Sequence, residues 1–348
     1  MNKKYFSILE TLKENKNTES GPNDRILLID GLNTFIRSFA ANPVTNDDGI
    51  HVGGITGFLM SIGYAIRNIK PTRVIICWDG KGGSQRRRKL FPEYKGNRRV
   101  RSRLTRHVSI GTMEDEKVAM KNQLLRLSQY IDTLPLHMVS VENIEADDSI
   151  AYICEQLYPK SQVFIMSTDK DFMQLVSDRV TVWSPTKKKY YFADTIKEEY
   201  GIHPNNFLMF RTITGDGSDN IPGIRGAGLK TLINRMPIIA GKENITVDQI
   251  VEFCKKNTNI KILKTISESA DLLNLNYDLM QLNNVDISGS AKLKINNCVK
   301  EKIPRLVKYE FLKMMIEDNI NNAIKNPEFW LRDTFLSLDT YAGMTHGR

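Results

Sequence analysis

The sequence predicts an α/β protein: a mostly parallel sheet flanked by helices, followed by a second, helical domain. Two buried strands, Arg25–Asp30 and Arg73–Asp79, both finish in an aspartate. Apolar helical stretches lie between them, so they run parallel with their acidic ends on one edge of a sheet. Two later strands, 136–140 and 162–167, each lead into a crowd of carboxylates. From Pro204 onward the strand pattern stops, and residues 242–333 read as helical and rich in Asn and Lys.

Composition narrows the function classes. The 348 residues are 41% hydrophobic and 26% charged, as in soluble globular proteins, and the length suits two domains. A net charge of +9 favours a polyanionic partner. Four scattered cysteines form no C-x-x-C pair and five histidines show no ligand spacing. Zinc and a disulfide framework are therefore excluded, and a reducing, cytoplasmic compartment fits. No apolar run is long enough to span a membrane, and no signal-peptide core is present.

In chain order, residues 1–24 read as an N-terminal extension with no chemistry, ending in the turn Glu19-Ser-Gly-Pro-Asn-Asp24. Arg25–Asp30 is the first strand. In open α/β sheets ligands collect at the carboxyl ends of strands, so Asp30 stands where a catalytic acid belongs, although a lone acid there also caps a helix. A haloacid-dehalogenase-type phosphatase needs a second Asp two residues on, where this chain has Leu32. Gly53–Arg67 reads as an apolar helix with small residues for close packing, and the second strand ends at Asp79. Between Arg86 and Arg106 lie ten cations (Arg86, Arg87, Arg88, Lys89, Lys95, Arg98, Arg99, Arg101, Arg103, Arg106) against Glu93 alone. A solvated charge run is one reading. Phe91 and Tyr94 interleave the charges, however, and aromatics among phosphate-neutralising cations are how single strands are gripped. Ten cations cannot pack into a core, so this segment is expected to be weakly structured without a polyanion. An amphipathic helix follows over 114–133.

Next come Ile144-Glu145-Ala146-Asp147-Asp148 and Ser167-Thr168-Asp169-Lys170-Asp171. Two carboxylates ~4 Å apart repel by roughly 4 kcal/mol at an effective dielectric of about 20. Clusters that must stay ionised and close therefore hold a cation, and all-oxygen ligands suit Mg²⁺ or Mn²⁺. Helix capping accounts for Asp147 and Asp148 but not for both clusters. Thr181–Ser184 and Lys189–Phe192 read as a two-stranded addition, with solvated Lys187, Lys188 and Lys189 in the turn. Gly215-Asp216-Gly217-Ser218-Asp219-Asn220 adds two acids. Pro222-Gly223-Ile224-Arg225-Gly226-Ala227-Gly228-Leu229-Lys230 is a glycine-rich turn opening a helix, of the kind that meets phosphates or monovalent cations.

Taken in order, Asp30, Trp78-Asp79-Gly80, Tyr94-Lys95-Gly96-Asn97-Arg98, Glu145-Ala146-Asp147-Asp148, Thr168-Asp169-Lys170-Asp171 and Gly215–Asn220 closely resemble the flap endonuclease / 5′→3′ exonuclease family. That family includes stand-alone phage enzymes, one called ribonuclease H, and N-terminal domains of bacterial DNA polymerases. The resemblance runs from about residue 25 to 235. It implies a PIN-like (resolvase-like) nuclease core over 25–203 and a basic helical arch at about 81–130. It further implies a helical, duplex-binding domain over 204–333 with a helix–three-turn–helix.

The resemblance assigns Asp30, Asp79, Glu145, Asp147, Asp148, Asp169, Asp171, Asp216 and Asp219 to two or more Mg²⁺ ions, with Mn²⁺ substituting. Lys95 and Arg98 fall near the scissile phosphate. Arg86, Arg87, Arg88, Lys89, Tyr94, Arg99, Gly223, Gly226, Gly228 and Lys230 fall to nucleic-acid binding, with K⁺ at the glycine-rich turn. The implied activity is a structure-specific 5′ nuclease on 5′ flaps, DNA ends and RNA–DNA hybrids, of the stand-alone type and monomeric, in the host cytoplasm if viral. A catalytically silent or PIN-type RNA-processing relative is the alternative. The end of the chain, 334–348, is expected to be a tail whose apolar residues over 334–341 dock a sliding clamp or single-strand-binding protein, or else the chain's own helices.

Overall fold

The computed structural model describes residues 21–98, 103–105, 107–320 and 323–346. The N-terminal extension up to residue 20 and Arg99, Arg101 and Arg106 lie outside the described residues. Strand β1 (Arg25–Asp30) leads into α1 (Gly31–Ala41), and α2 (Gly53–Ile69) precedes β2 (Arg73–Trp78). Helix α3 (Gln85–Leu90) stands at the base of the basic stretch, and α4 (Met113–Asp132) opens on a capping box between Thr112 and Asp115. Then come β3 (His137–Ser140), α5 (Ala146–Tyr152), which winds on as a π-helix over Ile153–Leu157, and β4 (Gln162–Met166). Strands β5 (Val180–Ser184) and β6 (Lys189–Tyr191) precede α6 (Ala193–Tyr200) and α7 (Phe207–Thr214).

The remaining long elements are all helices: α8 (Leu229–Arg235), α9 (Val247–Lys255), α10 (Lys261–Ser267) and α11 (Ala270–Met280). They are followed by α12 (Gly289–Lys300), α13 (Lys308–Glu317) and α14 (Pro327–His346).

The described strands form one six-stranded sheet in the order β3-β2-β1-β4-β5-β6. Every neighbouring pair is parallel except β5–β6. The expected two-stranded addition therefore extends the main sheet, with β5 laddered onto β4. Alternate residues face opposite sides, as the strand period dictates. Ile26, Leu28, Ile75, Cys77, Val163 and Ile165 belong to one core, which runs on through α5 and the helices α7 to α12. Leu27, Ile29, Val74, Ile76, Phe164 and Met166 belong to the other, beneath α1, α2 and α4.

That second core corrects the reading of the chain's end. Phe311 and Met315 of α13 and Trp330, Leu331, Phe335 and Leu338 of α14 pack into it beside α2. They do not join the helices that follow Pro204. Gly63 of α2 lies so close to Trp330 that an added Cβ would sit 2.9 Å from the indole. Residues 334–346 are no tail. Thr334, Phe335, Leu338 and Ala342 are buried at helical spacing, and Arg67 donates to Thr334 Oγ1 at 2.6 Å. Of the apolar side chains over 334–341, Phe335 and Leu338 are covered by the chain itself, as the reading of docking onto its own helices expected, while Leu336 is 54% exposed.

Candidate metal and nucleic-acid site

The acids gather at the carboxyl edge of the sheet, each placed by local backbone logic. Asp30 ends β1, and its Oδ1 accepts from Asn33 N at 3.2 Å, capping α1. Ser167, just past β4, donates to Asp30 Oδ2 at 3.0 Å. Asp79 follows β2 and accepts from Ala146 N at 2.8 Å. The cap of α5 is thus Asp79 from a neighbouring strand. Asp147 and Asp148 stand in the first turn of α5, where the capping reading placed them, but neither side chain makes a cap hydrogen bond. Past β4, Asp169 Oδ1 accepts from Asp171 N at 2.8 Å, and Ser167 Oγ accepts from Asp169 N at 3.0 Å.

Four of these carboxylates, Asp30, Asp79, Asp147 and Asp169, have no salt-bridge partner at 4 Å or less among the described residues. Burial pushes the Asp30 carboxyl up to about 7, with Asp169 and Asp79 repelling it further. Burial, followed by Asp169 and Asp30, raises Asp147 well above the carboxylate range. Asp169 is raised by burial as well. Asp30, Asp147 and Asp169 feel one another electrostatically, so that without a cation their ionised forms are disfavoured.

The other acids are held by cations. Arg87 reaches Glu145 Oε2 at 2.6 Å and both oxygens of Asp148 at 2.9 and 2.7 Å, and it donates through Nε to Leu279 O at 2.8 Å. Lys95 Nζ lies 2.6 Å from Glu145 Oε1. Burial pushes Glu145 up, but Arg87 and Lys95 outweigh it and hold the carboxyl below its usual value. Arg211 of α7 donates to Asp171 at 2.7 Å and also pairs with Asp216. Burial still leaves Asp171 at about 7. At Asp216 burial is outweighed by Ser218 and Arg211, and its carboxyl is held low. Arg98 pairs with Asp219.

These pairs correct three expectations. Arg87 is 3% exposed and turned inward, so it cannot meet a phosphate. The basic stretch can bury this cation because Glu145 and Asp148 are there to receive it. Asp148 is 2% exposed with both oxygens bonded to Arg87, which ties it to the arginine in place of an ion. Tyr94 is 3% exposed, its hydroxyl 3.1 Å from Glu145 Oε2 and 3.0 Å from Asp219 Oδ2. It donates to the acids and presents no ring for base stacking.

Arg88 and Lys89 are exposed, and Arg86 is half-buried, 3.6 Å from Asp148. The loop around Lys95 is also anchored. Lys95 has φ +56, its N–H donates to Asp219 O at 2.8 Å, and Asn97 donates to Gly217 O at 2.6 Å. At the far end of the arch, buried Glu116 accepts from Leu104 N and Thr105 N, both at 3.0 Å. At least its two feet are therefore structured.

Among the glycines of the glycine-rich turn, Gly226 (φ +88) is exposed, with Ile262 3.7 Å from where a Cβ would sit, Gly228 is exposed with nothing within 4 Å, and Lys230 is exposed. Gly223 differs. A Cβ there would fall 1.9 Å from Thr214 O, so glycine is needed for the turn to pack on α7.

The donor set suits a hard divalent ion. It is all-oxygen, coupled and in need of positive charge. Yet among the described residues no group of three or more His, Cys, Asp or Glu side chains is arranged to hold a metal as it stands. The reason is the competition just described: Arg87, Lys95, Arg98 and Arg211 draw five of the nine expected ligands to themselves. Sequence reasoning missed Arg211 and Ser167. The signal for Arg211 was a lone cation in the apolar run Phe207-Leu-Met-Phe-Arg-Thr-Ile-Thr214, one turn before an acidic loop.

Comparison with known proteins adds family information. A family model described as the N-terminal resolvase-like domain of 5′-3′ exonucleases matches residues 25–201. A 5′-3′ exonuclease of Bacillus subtilis is 29% identical over 66% of this chain and 74% of its own length. One from Buchnera aphidicola is 30% identical over 78% of this chain and 91% of its own. DNA polymerase I of Bacillus subtilis is 28% identical over 71% of this chain, a stretch that makes up 26% of the polymerase. Among solved structures, the T5 D15 protein co-crystallised with metal ions aligns with a TM-score of 0.61 at 22% identity, covering 85% of this chain and 99% of that one. Flap endonuclease-1 from Methanococcus jannaschii aligns with a TM-score of 0.50 at 14% identity, covering 92% and 94%. At these identities the structural likeness speaks for the fold.

Proposed function

Given that the chain belongs to the 5′-3′ exonuclease family and is a 5′ nuclease, we propose that it is a divalent-metal-dependent phosphodiesterase cutting 5′ flaps, DNA ends and RNA–DNA hybrids. The observation that carries this reading is the trio Asp30, Asp147 and Asp169. These are carboxylates from three different segments, mutually repelling, half-buried or buried, and without a basic partner.

Those three, with Asp79, would hold the first ion, and Asp171, Asp216 and Asp219 a second. Bound Mg²⁺ or Mn²⁺ supplies activation of water and stabilisation of the leaving oxygen in an in-line displacement. The chain's own residues do the rest. Lys95 rests on Glu145, 15% exposed, and Arg98 rests on Asp219, 53% exposed. Both cations stand beside the acid cluster, where they bind and orient the scissile phosphate and offset its developing charge. The Tyr94 hydroxyl keeps Glu145 and Asp219 in place, since burial keeps it protonated as a donor. The exposed amides around Gly226 and Gly228 take the duplex backbone, with K⁺ as their partner cation. Products carry 5′-phosphates. Four unpaired cysteines are in keeping with the cytoplasm, and we propose that the protein acts as a monomer.

The test is single-turnover cleavage of 5′-flap, nicked, blunt and RNA-primed duplexes in Mg²⁺, in Mn²⁺ and in excess chelator. Cutting confined to the metal arms and strongest on flaps is expected. Full cleavage in chelator would overturn the proposal.

A further inference from the structure

Helix α11 lies well past the metal site in sequence, yet it is bonded to three parts of it. Asn276 of this helix is fully buried. Its Nδ2 donates to Thr212 O at 2.9 Å and to Pro222 O at 2.8 Å. Both partners are acceptors, so the amide can face them only with its NH2 group. Its Oδ1 is left buried with no hydrogen-bond partner. An unpaired buried oxygen is costly, and the two bonds from Nδ2 are what offset it.

Those bonds join two pieces of the site. Thr212 O is one of the orphan carbonyls at the C-terminal end of α7, the helix whose Arg211 pairs with Asp171 and Asp216. Pro222 begins the glycine-rich turn. It follows Ile221, which exchanges two backbone hydrogen bonds with Asp216, at 2.8 and 2.9 Å. One amide therefore ties the turn to the acidic loop. The far end of α11 is tied to the remaining acids. Leu279 O accepts from Arg87 Nε at 2.8 Å, and Met280 O accepts from Gln174 Nε2 at 3.0 Å. Arg87 in turn holds Glu145 and Asp148, and Gln174 also donates to Asp171 O at 2.9 Å.

We infer that α11 is a gauge that sets which phosphodiester is cut, with Asn276 as the positioning residue that fixes the glycine-rich turn relative to the acids. The inference rests on the nuclease reading and deepens it. The turn takes the duplex backbone and the acids take the scissile phosphate, so their separation counts the nucleotides between the two. Successive nucleotides of a strand rise about 3.4 Å along the axis, and a slip of that size moves the cut by one. Without Asn276, Thr212 O and Pro222 O lose their shared donor and the turn can settle at more than one distance. Asn276 has no exposed surface, so it acts only through these two carbonyls.

The experiment is single-turnover cleavage of a labelled 5′-flap duplex at saturating enzyme in Mg²⁺, with products sized to the nucleotide. Three proteins are compared: wild type, Asn276→Leu, which keeps the volume and removes the donors, and Leu338→Ala, which weakens the core of α14. Asn276→Leu is expected to spread its cuts over two or three adjacent positions and to cut the wild-type position about tenfold more slowly. Its affinity for a blunt duplex in Ca²⁺ is expected to stay within about twofold of wild type, because the exposed amides of the turn are untouched. Leu338→Ala is expected to keep the wild-type product pattern, since a partly unfolded population cuts less but no differently. A wild-type pattern in folded Asn276→Leu overturns the gauge, and so does an equal spread in Leu338→Ala. Should Asn276→Leu fail to fold, Asn276→Ser, whose hydroxyl keeps one donor, is judged by the same criteria. Wild-type cleavage is read first. No cleavage in Mg²⁺ or Mn²⁺ overturns the nuclease reading and the gauge with it, whereas cleavage with an unmoved cut in the variant overturns the gauge alone.

Discussion

Asp30 in the metal-free chain is a buried carboxyl whose nearest charges are other acids. Folded, it keeps its proton up to about 7, whereas an unfolded aspartate ionises near ~4. Between those values the folded state binds the extra proton, so this group makes stability fall as pH rises from about 4 to about 7 and stay level above. Asp30→Asn removes the effect. In chelator at pH 8 the variant is expected to melt above wild type, with the gap closing toward pH 4. A gap independent of pH would contradict the assignment. In saturating Mg²⁺ the order should reverse, because only wild type gains the full ligand stabilisation. Lys95→Ala makes a second residue-scale test. Its backbone at φ +56 is held by the Asp219 carbonyl whatever the side chain, so the loop should persist. The single-turnover rate at saturating DNA is expected to drop by about 10²–10³ with affinity nearly unchanged. Loss of affinity alone would make Lys95 a grip. The acids were readable in the sequence because they stand in tight clusters at strand ends. Their counter-cations were not, since Arg87 meets partners 58 and 61 residues away, and that pairing exists only once α3 and α5 are packed.

Helices and turns divide their glycines between packing and contact. Gly223→Ala must push Thr214 O away and is expected to cost about 1–3 kcal/mol of stability, read as a lower melting temperature. Gly228 meets nothing within 4 Å and has an ordinary φ of −71, so Gly228→Val should melt with wild type. Its expected effect is weaker duplex binding, while a short single-stranded substrate is cut as before. Equal loss on both substrates would assign Gly228 to the fold. The sequence could not separate these glycines, because the distinction lies in which backbone atom faces the missing Cβ. The strands, by contrast, were legible to within a residue or two. β1, β2, β4 and β5 are short, mostly apolar runs bounded by turn residues, and burial on both faces leaves no other use for such a run. The arch was misread where charge alone was weighed. A count of ten cations against one ignored acids elsewhere in the chain that receive Arg87, Lys95 and Arg98.

At the level of the whole molecule, α14 belongs to the core. Trp330, Leu331, Phe335 and Leu338 are 0–6% exposed, and Trp330 packs on Phe311 and Phe335 at ring separations of 5.9 and 5.4 Å. Four such side chains, at roughly 1.5–3 kcal/mol each, rival the ~5–15 kcal/mol net stability of a domain. Deleting residues 327–348 is therefore expected to abolish cooperative melting. A truncated chain that melts like wild type would return this segment to a role outside the core. The reading of 334–348 as a tail missed the helical spacing of the buried residues 331, 335, 338 and 342, and what that stripe covers, α2 and α13, lies far away in the sequence. The sheet register has a further consequence. Asp30 is set opposite Cys77 at the last rung of the β1–β2 ladder, and Asp79 and Asp169 lie just past the ends of β2 and β4. The main chain and the two apolar faces thus set where the chemistry sits, and the acids add caps at Asp30 and Asp79 and ion pairs at Glu145, Asp148, Asp171 and Asp216. Asp147 alone among these acids has neither a side-chain hydrogen bond nor an ion pair among the described residues, so its loss would silence the reaction and leave the architecture standing, whereas loss of Asp148 would strand buried Arg87 and endanger both.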